Sequence, residues 1–248
     1  MSPFGQGRRA TEAGGSTLER EVKIPARMAT LSGTLTLPSH APGLVLFAHG
    51  SGSSRHSPRN RTVARTLNEA GLATLLFDLL TREEEEEDQY TGHLRFNIGL
   101  LADRLGHATA WLREDPSLRE LAVGYFGSST GGGAALVAAA ADPAGVRAVV
   151  SRGGRPDLAG SALEAVRAPT LLIVGGDDDV VIDLNRTAME QMSCEVELEI
   201  IPGATHLFEE RGALEKVAQL ASDWFLQHFV VPGADSEGFV SAALRKLH

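Results

Sequence analysis

Leu121-Ala122-Val123-Gly124-Tyr125-Phe126-Gly127-Ser128-Ser129-Thr130-Gly131-Gly132-Gly133-Ala134 carries an apolar run through a glycine-rich turn into an alanine-rich stretch that continues to Ala141. The first six residues read as a buried strand, and the stretch from Gly132 as a tightly packed helix. Between them lies Gly-x-Ser-x-Gly over 127–131, the pattern of a sharp strand-to-helix turn that strains its central serine and exposes the hydroxyl. Glycines two residues to either side let the strand and the helix approach with no Cβ between them. The helix N-terminus places the positive end of its dipole beneath the serine. Ser129 is therefore a candidate nucleophile, and Ser128 is expected to point away from it. Glycine-rich serine runs also occur by chance in loops, so the reading depends on partners elsewhere in the chain.

The partners follow in order. A second apolar run, Thr170-Leu171-Leu172-Ile173-Val174, leads into Gly175-Gly176-Asp177-Asp178-Asp179-Val180-Val181. A carboxylate in the loop leaving a strand is where an orienting acid would stand. A third run, Val196-Glu197-Leu198-Glu199-Ile200-Ile201, leads into Pro202-Gly203-Ala204-Thr205-His206-Leu207-Phe208. A lone loop Asp is usually a cap and a lone loop His a surface side chain. Three such loops in the order Ser, Asp, His make a nucleophile, acid and base on an open α/β sheet, and not on the folds of chymotrypsin or subtilisin. Asp157, which follows the strand near residue 150, is a reserve acid. A fourth run, Leu44-Val45-Leu46-Phe47-Ala48, precedes His49-Gly50-Ser51-Gly52-Ser53-Ser54-Arg55. An oxyanion hole needs two N–H groups aimed at one point. Thr130, after the nucleophile, supplies one, and Ser51 is the first choice for the other, with Gly52 close behind. His49 is expected to fix the loop by hydrogen bonding.

The remaining sequence supplies the frame. Ala29, Leu31, Gly33, Leu35 and Leu37 alternate with Thr30, Ser32, Thr34 and Thr36, the period of a half-buried antiparallel strand, with Val22 and Ile24 on an earlier partner. From Leu44 onward the strands become continuous apolar runs (44–48, 73–80, 121–126, 147–150, 170–174 and 196–201), as suits strands covered on both faces. Ser57-Pro58 opens a helix through Ala70. Leu94, Ile98, Leu101, Leu105, Ala108 and Leu112 repeat at helical spacing, as do Leu214, Val217, Ala218, Ala221, Trp224, Phe225 and His228. The expected fold class is α/β: a mostly parallel central sheet of about eight strands with helices on both faces. Only a short helix-like stretch, 158–166, separates the strand near residue 150 from the next, so no separate cap domain is expected. All four motif loops leave strand ends and fall on one edge of the sheet, where ligands bind.

Together the motifs at 49–55, 127–131, 175–181 and 203–208 resemble the α/β-hydrolase superfamily, and within it the dienelactone-hydrolase-like branch, over roughly residues 20–230. The resemblance implies the spacing Gly-x-x-Asp-x-x-Val for the acid, which selects Asp178 among three adjacent aspartates. Dienelactone hydrolase proper uses cysteine where this chain has Ser129, which favours an ordinary serine esterase. The chain is also similar to hydrolase segments attached to phosphoribosyltransferases, and no such partner segment is expected in the sequence as it stands. The implied catalytic set is Ser129, Asp178 and His206, with Thr130 and Ser51 at the oxyanion.

Composition bounds the alternatives. Hydrophobic content of 43% and charged content of 22% over 248 residues suit one globular α/β domain. A net charge of −9 argues against nucleic acid or anionic membrane as a partner. The single cysteine, Cys194, excludes an internal disulfide and fits a reducing, cytoplasmic setting. Residues 1–17 lack the apolar core of a signal peptide and read as a flexible tail, and 18–230 as the hydrolase domain. Over 231–248, Phe239, Val240, Ala243, Leu244 and Leu247 share one face of a short amphipathic helix, expected to dock on the domain or on a second subunit of a homodimer. Glu83 to Asp88 reads as a solvated, mobile acidic loop. Arg55, Arg95 and Arg152 are candidates for holding a substrate carboxylate, with Gly52 beside them. No cofactor and no metal are implied, because the triad supplies its own nucleophile. The expected activity is cleavage of a small-molecule ester through an acyl-enzyme. Acyl transfer or perhydrolysis with the same residues is an alternative, as is a hydrolase fold kept as a non-catalytic binding module.

Overall fold

The hairpin at the start of the sheet shows how the alternating pattern works. In the computed structural model, which describes residues 16–229, β1 (Thr17–Ala26) and β2 (Ala29–Pro38) pair antiparallel from Ala26↔Ala29 back to Thr17↔Pro38. Val22, Ile24, Ala26, Leu31 and Leu35 all turn to the buried face. The strand thus includes Thr17, which the sequence places in the tail. The rest of the expected tail, and the amphipathic helix expected over 231–248, lie outside the described residues.

Six further strands complete an eight-stranded sheet in the order β1-β2-β4-β3-β5-β6-β7-β8. They are β3 (Gly43–Ala48), β4 (Ala73–Phe77), β5 (Ala122–Ser128), β6 (Val146–Arg152), β7 (Thr170–Gly175) and β8 (Val196–Ile201). From β4 to β8 all neighbours are parallel. Their continuous apolar runs arise because both faces are covered. Val45, Phe47, Phe126, Val150 and Ile173 pack under α1 (Pro58–Glu69) and α6 (Ala213–Phe229). Leu44, Leu46, Tyr125 and Val149 pack under α3 (Ile98–Glu114), α4 (Thr130–Ala141) and a 3₁₀ segment, Pro156–Ala165. That segment fills the β6–β7 connection, and no cap domain is inserted there. No helix among the described residues is long and apolar enough to cross a membrane.

The chain winds outward in one direction from β3 to β4 and in the other from β5 onward. The loops after β3 and β5 therefore part company at the centre of the sheet and open a crevice at the carboxyl ends of the strands. This places the 49–55 loop beside Ser129.

One expected loop is a helix. Residues 82–91 form α2 (Arg82–Thr91), opened by a capping box in which Glu84 N–H donates to Thr81 Oγ1 at 3.2 Å and Thr81 N–H donates to Glu84 Oε2 at 2.7 Å. The acidic run favours this position because its first glutamates meet the positive end of the helix dipole. Arg104 of α3 clamps the helix by donating to Glu84 Oε1 at 2.6 Å. The Thr-x-x-Glu spacing at 81–84 is a signal of this start in the sequence itself. Leu94 falls outside α3, whose first turn is capped by the Asn97 side chain.

Candidate active site

Ser129 caps α4 with φ 51° and ψ −121°, a backbone conformation foreign to most side chains. Such a residue carries about 1–3 kcal/mol of strain and persists only where its surroundings hold it. Here three hydrogen bonds do so. Ser129 N–H donates to the Arg152 carbonyl at 3.3 Å, and its own carbonyl accepts from Gly132 N–H at 2.9 Å and Arg155 N–H at 3.1 Å. The flanking glycines are a steric requirement: a Cβ on Gly131 would strike the Ala48 carbonyl, and one on Gly127 would lie 2.5 Å from the Gly131 carbonyl oxygen. Ser128 points the other way, as the turn demands. Its hydroxyl donates to Asn60 Oδ1 of α1 at 3.1 Å, and the residue is 2% exposed.

The acid and the histidine meet across two tethered loops. Gly176 N–H donates to the Ile201 carbonyl at 2.8 Å, and Asp177 N–H to the Ala204 carbonyl at 2.9 Å. A side chain at Gly175 would sit 2.6 Å from the Thr205 carbonyl oxygen, so the loops close only over glycine. Asp178 Oδ2 lies 2.7 Å from His206 Nδ1. That bond makes Nδ1 the donor and leaves Nε2 as the basic nitrogen. Asp178 is half-buried beneath the ring, whereas Asp177 and Asp179 are exposed. Asp157, the reserve acid, is engaged elsewhere: Arg155 Nε and Nη2 donate to its two oxygens at 2.8 and 2.7 Å. The His206 ring lies close over Gly153, with Cε1 3.5 Å from where a Cβ there would stand. The next residue back, Arg152, holds the Ser129 N–H.

The loop after β3 is built around His49. Its Nε2 accepts the Leu79 N–H at 3.0 Å, and Nδ1 faces the Gly50 carbonyl at 3.0 Å, so the ring bridges the ends of β3 and β4 as the neutral Nδ1–H tautomer. Burial pushes its pKa below the ordinary imidazole range, with the Gly50 carbonyl and Asp78 opposing. A depressed folded-state pKa means that the unfolded chain binds the proton more readily. The stabilisation is complete above about pH 6.5 and is lost as the pH falls towards the folded-state pKa, at no more than about 1.4 kcal/mol per pH unit. Urea midpoints at pH 7.5 and 5.5 will show this slope in the wild type and a shallower one in His49→Gln; equal slopes would assign the acid sensitivity to other groups.

Ser51 turns its N–H not to open space but to Thr130 Oγ1, at 2.9 Å. The loop and the residue after the nucleophile are brought together as expected, but through a side chain. Arg55, expected as a substrate contact, belongs to the scaffold. Its N–H and Nη1 donate to the Asp78 carboxylate at 2.8 and 2.6 Å, and Nη2 reaches Glu21 at 3.3 Å. Arg95 is likewise held by Asp88, through the carboxylate and, at 2.6 Å, the backbone carbonyl. Gly52, at φ 68°, stands exposed on the rim.

A cleft of about 630 Å³ opens along the 49–54 loop, whose Gly50 packs against Ser129, and is walled also by Arg59 of α1 and by Glu85 and Gln89 of α2. Burial and the Asp78 charge push the Glu85 carboxyl above its ordinary range, with Arg95 opposing. Arg152, at the end of β6, is buried, with its guanidinium carbon 5.8 Å from the centre of the Phe208 ring. Reading the sequence alone passes over Arg59, whose one signal is its place just behind the Ser57-Pro58 helix start.

Comparison with known proteins agrees with this fold. The profile of the Dienelactone hydrolase family matches residues 29–229. The crystal structure of a dienelactone hydrolase from Anabaena variabilis ATCC 29413 is 63% identical, with a TM-score of 0.84 over 86% of this chain and 98% of that one. A cold-adapted esterase from an Arctic intertidal metagenomic library shares the fold at 16% identity, with a TM-score of 0.68 over 92% of this chain and 99% of that one. A Mycobacterium tuberculosis protein bearing a provisional phosphoribosyl transferase name is 57% identical over 215 residues, 87% of this chain and 48% of its own length. This chain thus spans about half the length of the curated relatives it matches.

Proposed function

The chain belongs to the dienelactone hydrolase family, and from that premise we propose that it is a cytoplasmic serine esterase cleaving a small carboxylic ester through an acyl-enzyme. The observation that carries this reading is the 2.7 Å bond between Asp178 and His206, on the same sheet edge as the strained, half-buried Ser129. His206 Nε2 removes the Ser129 proton as Oγ attacks the ester carbonyl, and then returns it to the departing alcohol. Asp178 holds the ring in its working tautomer and stabilises the imidazolium. Water then attacks the acyl-enzyme with His206 again as base, which releases the acid.

The developing oxyanion meets Thr130 twice. Its backbone N–H, in the first turn of α4, is one donor. Its hydroxyl is the other: the oxygen accepts from Ser51 N–H, and no acceptor among the described residues takes its hydrogen. Ser51 therefore acts by orienting that hydroxyl, and its own amide stands behind it. One oxyanion donor is worth about a hundredfold or more in kcat.

The test uses a fluorophosphonate probe and a chain-length series of p-nitrophenyl esters. Covalent labelling at Ser129 and turnover of the short esters are expected, and a chain that neither labels nor hydrolyses them would sink the reading. Thr130→Val is expected to lower kcat about a hundredfold at little change in KM. An unchanged kcat would return the second donor role to the Ser51 amide.

A further inference from the structure

We propose that Asn185 is a positioning residue for the reaction: from behind the site, its buried amide sets the spacing between His206 and Ser129 while bonding to neither. The proposal rests on the esterase reading for the chemistry that this spacing serves.

The two halves of the site stand on separate supports. Asp178 and His206 ride on the loops after β7 and β8, which are tied to each other. Ser129 rides on the elbow after β5. The spacer between them is the loop after β6. Its Arg152 carbonyl accepts the Ser129 N–H, its Arg155 N–H donates to the Ser129 carbonyl at 3.1 Å, and its Gly153 lies under the His206 ring. Two adjacent glycines form the middle of this spacer. Gly153 stands at φ 51°, and a Cβ on Gly154 would strike Ser151 Oγ. Glycine meets both constraints, but it leaves the spacer no side chain of its own to hold it in place. The hold comes from neighbouring elements. Gly153 N–H donates to the Ile173 carbonyl of β7 at 2.7 Å, and the Gly154 carbonyl accepts from Asn185 Nδ2 at 3.1 Å.

Asn185 belongs to α5 (Asp179–Met189), the helix that Asp178 caps, and lies about two turns beyond that acid. It is fully buried, and the same Nδ2 also donates to the Val181 carbonyl at 2.7 Å. One amide thus joins the helix that begins at the acid to the spacer that braces the nucleophile. Packing gives no reason for asparagine at this position. It is a poor helix former, and its Oδ1 is buried with no donor among the described residues. Leucine, of similar size, would favour the helix and leave no orphan oxygen in the core. What asparagine supplies and leucine cannot is the N–H donor to Gly154. A local rule is broken where the gain is the geometry of the site.

Asn185→Leu in the full chain tests this. Its kcat for p-nitrophenyl esters is expected to fall about tenfold to a hundredfold, as a small misplacement of reacting groups implies. KM is expected to change little, because Asn185 does not line the cleft. Fluorophosphonate labelling of Ser129 is expected to slow with kcat. The pH inflection of kcat/KM is expected to stay in place, because the Asp178–His206 bond does not run through Gly154. Asn185→Gln, which keeps the amide one methylene further out, is expected to fall between wild type and Asn185→Leu. Amide exchange followed by NMR reads the tether itself: the Gly153 and Arg155 N–H groups are expected to exchange about tenfold faster in Asn185→Leu, with the amides within β6 unchanged. A residue with a merely structural role would lower the urea midpoint and leave the kcat of the folded enzyme as it was. That outcome overturns the proposal, as does a shifted pH inflection, which would place the action on Asp178. If Asn185→Leu does not fold, the more adaptable Asn185→Met replaces it with the same expectations. A wild-type chain that neither labels nor hydrolyses any ester overturns the esterase reading instead. Faster exchange at Gly153 and Arg155 then still upholds the tether, and unchanged exchange removes it as well.

Discussion

Ser129→Ala is expected to lower kcat for activated esters by about five orders of magnitude or more and to abolish fluorophosphonate labelling. Removing a triad nucleophile leaves only what oxyanion donors and substrate binding contribute, roughly a thousandfold to ten-thousandfold over water. The fold survives, because the hydroxyl forms no hydrogen bond that holds the turn; the three bonds around it run through the Ser129 backbone. Ser128→Ala is the control in the adjacent position. It removes a buried hydrogen bond to Asn60, worth about 0.5–1.5 kcal/mol of stability, and affects turnover far less. Steady-state kinetics with urea unfolding of both variants separates the two effects. If Ser128→Ala abolished turnover and Ser129→Ala did not, the nucleophile would be assigned to the wrong serine.

Asp178→Asn is expected to lower kcat by about ten-thousandfold with little change in KM. The amide offers its NH₂ or its carbonyl to His206 Nδ1, and either way the imidazolium loses its counter-charge and the tautomer its preference. The comparison that decides the assignment is with Asp157→Asn, which breaks the bidentate pair with Arg155 on the loop whose N–H braces the Ser129 carbonyl. That change lowers stability and leaves the chemistry of the histidine intact. A larger kcat loss at Asp157, Asp177 or Asp179 would move the acid there.

The strands and the order of the motifs are legible in the sequence because each rests on a local rule. Alternation at 29–37 and continuous apolar runs at 44–48 and 121–126 report how many faces of a strand are buried. The Gly-x-Ser-x-Gly turn requires glycine at 127 because of backbone crowding within a few residues, whereas glycine at 131 answers to the Ala48 carbonyl at the end of β3. The acidic run at 83–88 is read as a loop because charge density outweighs the Thr81–Glu84 capping signal. The capping box opens the helix, and Arg104, twenty residues away, then clamps it through Glu84, a pairing that no rule of spacing contains.

The arginines divide along the same line. By type alone, Arg55, Arg95 and Arg152 are equivalent candidates for a substrate anion. The fold neutralises two of them, since Asp78 follows β4 and Asp88 lies in the last turn of α2, each beside its arginine. It leaves the third buried next to Arg59. Ser51 and Thr130 are likewise both legible as loop residues near an oxyanion, yet only the approach of β3 to β5 directs the Ser51 N–H onto the Thr130 hydroxyl. The chain by itself thus determined its strands, its elbow and the order Ser129, Asp178, His206, because backbone sterics and burial periodicity act over a few residues. Which aspartate meets the histidine, which hydroxyl receives the Ser51 N–H and which arginine stays unmatched were decided by the tertiary structure, because hydrogen bonds and charge pairs depend on distances set by the whole sheet.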